Sequence, residues 1–177
     1  MVDKIVCATA LICGEHLTSL SVGDCVNITD KSMEYIAKYC PFIEKLVVWG
    51  ASISDRGIKV IVENCPRIQI FELSLCELLT DISLEYVSAL PSLRILDIAG
   101  CTRMSFDGVM NLGKRMLGSG GDNQLERVSI GGLKNVNEES FNVLMKVLCN
   151  FELFQSVDIY RFLIPFIAIC FCLYVLL

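Results

Sequence analysis

Histidine is almost absent from this chain, since His16 is the only one among 177 residues. A histidine-rich metal site is therefore excluded, and nothing around His16 marks it as part of a catalytic centre. Basic residues are in the minority, because 15 Lys and Arg stand against 20 Asp and Glu and give a formal net charge of −5. Proteins that bind nucleic acid by neutralising phosphates need the opposite balance. The sequence therefore predicts no nucleic-acid partner.

Cysteine is frequent, with ten residues, but no C-x-x-C spacing occurs in the chain. Zinc knuckles and thioredoxin-like redox sites depend on that spacing, and the sequence predicts no metal and no other cofactor. The first 14 residues hold only a short apolar run, which is thin for a signal peptide. We therefore expect a cytoplasmic or nuclear, reducing compartment in which most cysteines act as small hydrophobic side chains.

A repeat of about 25 residues organises most of the chain. Each cycle opens with a stretch in which the first, fourth and sixth residues are apolar. Five such stretches begin 26, 25, 25 and 32 residues apart, at 17–22, 43–48, 68–73, 93–98 and 125–130. The longest step contains a glycine-rich insertion at 118–122, which we interpret as a surface loop.

Each cycle combines one short strand with one helix. The apolar stretch ends with period 2, which is typical of a strand with one buried face. A hydroxyl residue then precedes a segment of helical periodicity, and we predict helix N-caps at Thr29, Ser54, Thr80 and Ser105. Such a cycle is too short for a doubly wound unit of roughly 30 or more residues. It predicts an α/β solenoid of about five full repeats with partial repeats at both ends. The partial repeats are the end of an earlier helix at 5–14 and the strand of a sixth repeat at 154–159.

The cycles share the pattern L-x-x-L-x-L-x-x-C-x-x-[IL]-[ST]-D-x-x-[LIM]…C-P. Over roughly residues 5–160 this pattern resembles the cysteine-containing leucine-rich repeat of F-box/leucine-rich-repeat proteins and of antagonist-of-mitotic-exit-network proteins. The resemblance implies a horseshoe arc with parallel strands on the concave side and helices on the convex side. It also implies that the array holds a protein substrate for an SCF-type ubiquitin ligase. In that ligase, an F-box upstream of the repeats binds Skp1, which connects the protein to the cullin.

An F-box is not visible ahead of Leu17. The ubiquitin-related function is therefore implied by the type of repeat alone. We interpret the chain as a fragment, a short isoform or a relative without the adaptor module. Binding to the Skp1/cullin complex is expected only if the full-length form contains an F-box.

The predicted concave face is the candidate binding surface. If the leucines point inward, the residues between them face outward, and equivalent residues of neighbouring strands form columns about 4.8 Å apart. Trp49, the only tryptophan, lies in one of these columns, where it either contacts a partner or packs on a neighbouring coil or a terminal segment. The residues that we assign to a protein partner are Lys45, Val47, Trp49, Ile70, Glu72, Asp97 and Arg127.

Two further sets of recurrent residues are interpreted as structural: Cys25, Cys76 and Cys101, and Asp30, Asp55 and Asp81. A small thiol fits the turn after a strand, although an oxidative cross-link between Cys76 and Cys101 stays open. Acids that recur once per cycle are typical of helix starts, not of paired catalytic carboxylates. The sequence predicts a protein-recognition module and not an enzyme.

The end of the chain breaks the repeat. Residues 162–177 are hydrophobic except for Pro165. As a helix this segment would rise about 24 Å, which is short of a hydrocarbon core of roughly 30 Å. We divide the chain into a repeat array at 1–160 and a hydrophobic tail at 161–177. The tail is either a membrane anchor, which would make the chain a membrane-tethered interaction protein, or an alternative C-terminus that replaces further coils.

Overall fold

The computed structural model describes residues 2–23, 27–118 and 125–132, and strands and helices alternate along them. The strands are β1 (Ser19–Ser21), β2 (Lys45–Val47), β3 (Ile70–Glu72), β4 (Ile95–Asp97) and β5 (Arg127–Ser129). The helices are α1 (Val2–Cys13), α2 (Asp30–Tyr39), α3 (Asp55–Asn64), α4 (Asp81–Val87) and α5 (Phe106–Gly118). A short 3₁₀ turn (Gly14–His16) connects α1 to β1. We call each strand with the helix that follows it a coil, so that coil 1 contains β1 and α2.

The five strands form one parallel sheet in the order of the sequence, β1-β2-β3-β4-β5. Their central residues are in register from coil to coil, as the solenoid prediction requires: Leu20, Leu46, Phe71, Leu96 and Val128. Each helix in the series α1 to α5 packs against the next one. The chain therefore winds in one direction, and each coil contacts its neighbours along the sequence.

The core lies between the sheet and the row of helices. Leu46, Phe71 and Leu96 are fully buried on the sheet side. Met33 and Ile58 are fully buried on the helix side, within a single hydrophobic cluster that runs through the coils. Burial of such side chains is worth roughly 1.5–3 kcal/mol each. Each coil therefore gains its stability by covering the apolar edge of the next.

The helix boundaries follow the predicted signals. Thr29, Ser54 and Thr80 are N-caps with extended backbones, and the hydroxyl of each accepts a hydrogen bond at 3.3 Å from the N–H two residues later. Ser105 accepts at 3.1 Å from the N–H of Gly108. Helices α2 and α3 end before a Cys-Pro pair, as expected, because proline cannot continue a helix.

The first helix confirms the expected partial repeat ahead of β1 and extends it. Residues 5–14 were expected to be the end of an earlier helix, and α1 (Val2–Cys13) is a full helix. Val6 and Ala10 are buried in the common cluster, on the side of α1 that packs against α2.

Several predicted features lie outside the described residues: most of the glycine-rich insertion, Cys25, the sixth strand expected at 154–159 and the tail at 161–177. Among the residues that the structure describes, no helix has the length and apolar character needed to cross a membrane.

Candidate protein-binding face

The strands place the predicted site residues in two columns on the side of the sheet away from the core. The residues before the central leucine are in register as Lys45, Ile70, Ile95 and Arg127. The residues after it are in register as Val47, Glu72, Asp97 and Ser129. Alternation along a strand turns both columns away from the buried central residues. The structure therefore brings six of the seven predicted residues onto two adjacent columns, and Trp49 follows β2 by two residues.

The charged residues at the centre of this face are half-buried. Lys45 Nζ lies 3.8 Å from Glu72 Oε1, with 43 % and 33 % of the two side chains exposed. At that separation and exposure the pair adds little to stability. Asp97 is the in-register neighbour of Glu72, and its Oδ1 accepts a hydrogen bond at 2.9 Å from the N–H of Ala99. Burial raises the pKa of Asp97, and this hydrogen bond opposes the rise only in part.

Val47 is a correction to the predicted face. It was expected to be exposed to a partner, but only 4 % of it is accessible. Val47 is in register between Ser21 and Glu72 and comes two residues before Trp49 on the same side of the strand. The side chain of Val47 is therefore covered and offers almost no surface to a partner.

Trp49 packs against the neighbouring coil, which was the alternative to direct partner binding. A Cβ atom on Gly23 would lie only 1.8 Å from Nε1 of Trp49, so the indole occupies the space that a side chain at position 23 would need. The tryptophan remains half-buried. It therefore fills the gap between coils 1 and 2 and forms one border of the binding face.

The comparisons with known proteins support this architecture. The family model described as "Leucine Rich repeat" matches residues 15–37, which span β1 and most of α2. A chain in the crystal structure of the Rad7 and Elc1 complex in yeast matches with a TM-score of 0.61 at 16 % identity. The match covers 78 % of this chain and 41 % of that one, so this chain spans less than half of its length. At this identity the match shows the fold.

The protein folds as a leucine-rich-repeat solenoid. Leucine-rich repeats stack into curved arrays whose concave surfaces bind proteins. In this solenoid that surface carries Lys45, Glu72 and Asp97, with the aliphatic Ile70 and Ile95 beside them.

Cys76 and Cys101, the two members of the recurrent cysteine set that the structure describes, are structural, as predicted. Cys76 Sγ donates to the Val48 carbonyl at 3.3 Å, and Cys101 Sγ donates to the Leu73 carbonyl at 3.2 Å. Both thiols are free and buried. Burial raises the pKa of Cys76 to about 11 and that of Cys101 to about 12. Each thiol therefore stays protonated. Its hydrogen bond connects the turn in which the cysteine lies to the end of the strand in the preceding coil.

The helix-starting aspartates do more than the sequence indicated, because each connects two coils. Asp30 accepts from the Ser54 N–H at 2.7 Å and from the Ser54 hydroxyl at 2.6 Å. Asp55 binds Thr80 in the same way, at 2.9 and 2.7 Å. Asp3 and Asp81 repeat the contact with the N-caps Thr29 and Ser105. We call these four contacts the aspartate ladder. The recurrence of Ser/Thr-Asp once per cycle was the signal that could have revealed it.

Candidate metal-binding or acid–base groups are few among the described residues. No group of three or more His, Cys, Asp or Glu residues within them is placed to hold a metal ion. The acids of the aspartate ladder are occupied by N-cap hydrogen bonds. The arrangement is that of a recognition surface.

Proposed function

We propose that this solenoid is a protein-recognition module that binds a protein substrate on its concave face and serves ubiquitin-dependent proteolysis in the cytoplasm or nucleus. The observation that carries the binding function is the in-register placement of charged and aliphatic side chains on the sheet face opposite the helices. Binding energy in such surfaces comes from a few central side chains. Here these are Ile70, Glu72, Ile95 and Asp97.

Two resemblances support the ubiquitin-related part of the proposal. The cysteine-containing repeat resembles that of F-box/leucine-rich-repeat proteins, and the matched chain comes from a complex of Rad7 with Elc1. Both suggest assembly with a partner subunit, such as Skp1 with its cullin or a protein like Elc1.

Site-specific cross-linking tests the binding function. A photo-reactive amino acid is placed at Ile95 on the concave face or at Lys59 on α3, whose side chain is half-exposed on the helix side. We expect Ile95 to capture a discrete set of proteins in cells and Lys59 to capture none of them. Capture of the same proteins from both positions would contradict the proposal.

Depletion of the chain tests the ubiquitin-related role. Proteins that cross-link through Ile95 should accumulate when the chain is depleted, and a proteasome inhibitor should abolish the difference. Skp1 and its cullin should co-purify if the full-length form contains an F-box, and a protein like Elc1 is the other expected partner. If the lifetime of a captured protein does not change when the chain is depleted, the module binds that protein without promoting its degradation.

A membrane-tethered interaction protein is the second candidate, which the hydrophobic run at 162–177 favours. Carbonate extraction of membranes separates it from the first. The tether is supported if the chain stays in the membrane pellet and if removal of residues 162–177 releases it. A chain found wholly in the soluble fraction would contradict the tether.

A further inference from the structure

The centre of the concave face carries two carboxylates side by side. Glu72 and Asp97 are in register on the adjacent strands β3 and β4, which places their backbones about 4.8 Å apart. The two acids concentrate negative charge at the centre of the face. The side chains also share a half-buried surface, where solvent screening is weaker than in bulk water.

The lysines and arginines that the structure describes neutralise the pair only in part. Lys45 approaches Glu72 at 3.8 Å, which is too long for a hydrogen bond. Asp97 accepts one hydrogen bond, from the Ala99 N–H, and within the described ranges no lysine or arginine forms an ion pair with it. Burial, and not a charged neighbour, is the main cause of the raised pKa of Asp97.

The residues around Glu72 and Asp97 limit which ligands can bind between the two carboxylates. Ile70 and Ile95 are adjacent in register, half-buried, and one column away from the acids. Lys45 and Arg127 flank the two isoleucines in that same column. A ligand with one positive charge gains most at the centre, while further positive charges on either side of the isoleucines meet like charge.

We propose that the concave face recognises a protein segment that places one lysine or arginine side chain between Glu72 and Asp97 and an aliphatic side chain against Ile70 and Ile95. This inference rests on the proposed binding function and adds the chemical class of the partner. A guanidinium matches the site best, because its fork of donors can engage two carboxylates together. The aliphatic contact supplies the apolar burial that a charge pair alone does not.

Selection from a random library of 12-residue peptides, displayed on phage and panned on the full chain, tests the inference. We expect the enriched peptides to share a Lys or Arg next to an aliphatic residue. The best peptide should bind the double variant Glu72→Gln/Asp97→Asn at least about tenfold more weakly, which is the effect of losing a charge-assisted hydrogen bond. Its affinity should also fall as salt is raised.

The matched control is Glu34→Gln/Glu63→Gln, which removes the same number of charges from α2 and α3. We expect it to change affinity by less than about twofold, in line with the small value of exposed charges. Equal weakening by both double variants would overturn the inference. Enrichment of acidic or uncharged peptides would overturn it as well.

Failure of the inference is distinguishable from failure of the proposed function. If the enriched peptides are uncharged but still cross-link to the photo-reactive residue at position 95, the concave face binds peptides and the proposed function stands. The proposed preference for a basic side chain is then wrong. No enriched peptide, together with no cellular protein captured from Ile95, would overturn both. If a second copy of this chain occupies the face, the protein should elute as a dimer in size-exclusion chromatography, and Glu72→Gln/Asp97→Asn should dissociate that dimer. This result would overturn the assignment of the face to a basic segment of another protein.

Discussion

Gly57 lies so close to the carboxylate of Asp30 that a Cβ atom on it would fall 2.5 Å from Asp30 Oδ1. The third residue after each N-cap meets the aspartate of the preceding coil in this way. Where that residue is serine, as at Ser83, its hydroxyl donates to the carboxylate of Asp55. Where it is glycine, as at Gly57 and Gly108, the absence of a side chain leaves room for the acid. The aspartate ladder therefore requires a small residue at this position.

Gly57→Ala tests this requirement. In an open helix, Gly→Ala stabilises by about 0.5–1 kcal/mol. At position 57 the new methyl group pushes against the Asp30 carboxylate without offering it the hydroxyl that Ser83 donates to Asp55, and the resulting loss of hydrogen bonds to Ser54 costs about 1–3 kcal/mol. We expect a net decrease in the free energy of unfolding, measured by denaturant titration.

Gly113→Ala is the matched control, because no atom lies within 4 Å of a Cβ built on Gly113 in α5. It should stabilise the protein by the helix-propensity difference alone. A stabilising effect of similar size at both positions would show that the Asp30 contact does not constrain Gly57.

Asp97 should make the protein less stable as the pH rises. Its folded-state pKa lies above the ordinary value of 3.8, because burial disfavours the charged form. The contribution to stability is therefore fully present below pH 3.8 and is lost as the pH rises through the folded-state pKa. Asp97→Asn, which stays neutral and retains an acceptor, should gain in relative stability across that range. Unfolding titrations of both proteins at stepped pH would measure the difference.

Asp3 should show the opposite dependence. Burial acts to raise its pKa, but hydrogen bonds from Ser32 and Thr29 outweigh burial and lower it. Its contribution is present above pH 3.8 and is lost as the pH falls through the folded-state pKa. Asp3→Asn should therefore be less stable at neutral pH and approach the parent protein in acid. A constant difference at all pH values would contradict the role of its charge.

Gly23→Ala should move the single tryptophan. The added Cβ would meet Nε1 of Trp49 at 1.8 Å, so the indole has to leave its place over coil 1. We expect the emission of Trp49 to shift to longer wavelength because the ring becomes more exposed to water. Ser74→Ala, in the corresponding position of coil 3, should leave the emission unchanged. An unshifted spectrum for Gly23→Ala would show that the indole does not pack there.

Leu75→Gly should relieve backbone strain in the turn after β3. Leu75 has φ of 60°, whereas Gly50, Gly100 and Gly132 occupy the corresponding left-handed turns of coils 2, 4 and 5. A left-handed residue with a side chain costs roughly 1–2 kcal/mol, and Leu75 is 55 % exposed. We therefore expect a net stabilisation of about 0.5–1 kcal/mol after the greater chain entropy of glycine is counted.

Leu78→Gly provides the control for Leu75→Gly. Leu78 is 44 % exposed and is not among the positive-φ residues of the described chain. With no strain to relieve, the glycine should only increase the entropy of the unfolded state and lower stability. Destabilisation by both substitutions in thermal unfolding would contradict the strain at Leu75.

The fold was largely predictable because its signals are local and repeated. The register of Leu46 with Phe71 and the N-cap at Ser54 follow from the spacing of apolar and hydroxyl residues. Contacts between coils were not predictable in the same way. The spacing did not reveal that Asp30 binds Ser54 or that Val47 is covered, because both depend on which side chains adjacent coils bring together.

The most direct test of the central claim, that the concave face binds a protein, compares Glu72→Arg with Glu63→Arg. Both variants reverse one glutamate, the first on β3 and the second on α3. Their affinities for a protein captured through Ile95 would be measured by isothermal titration calorimetry. We predict that Glu72→Arg weakens binding at least about tenfold, as charge reversal at the centre of an interface does, while Glu63→Arg leaves it within about twofold. Equal affinities of the two variants would contradict binding at this face.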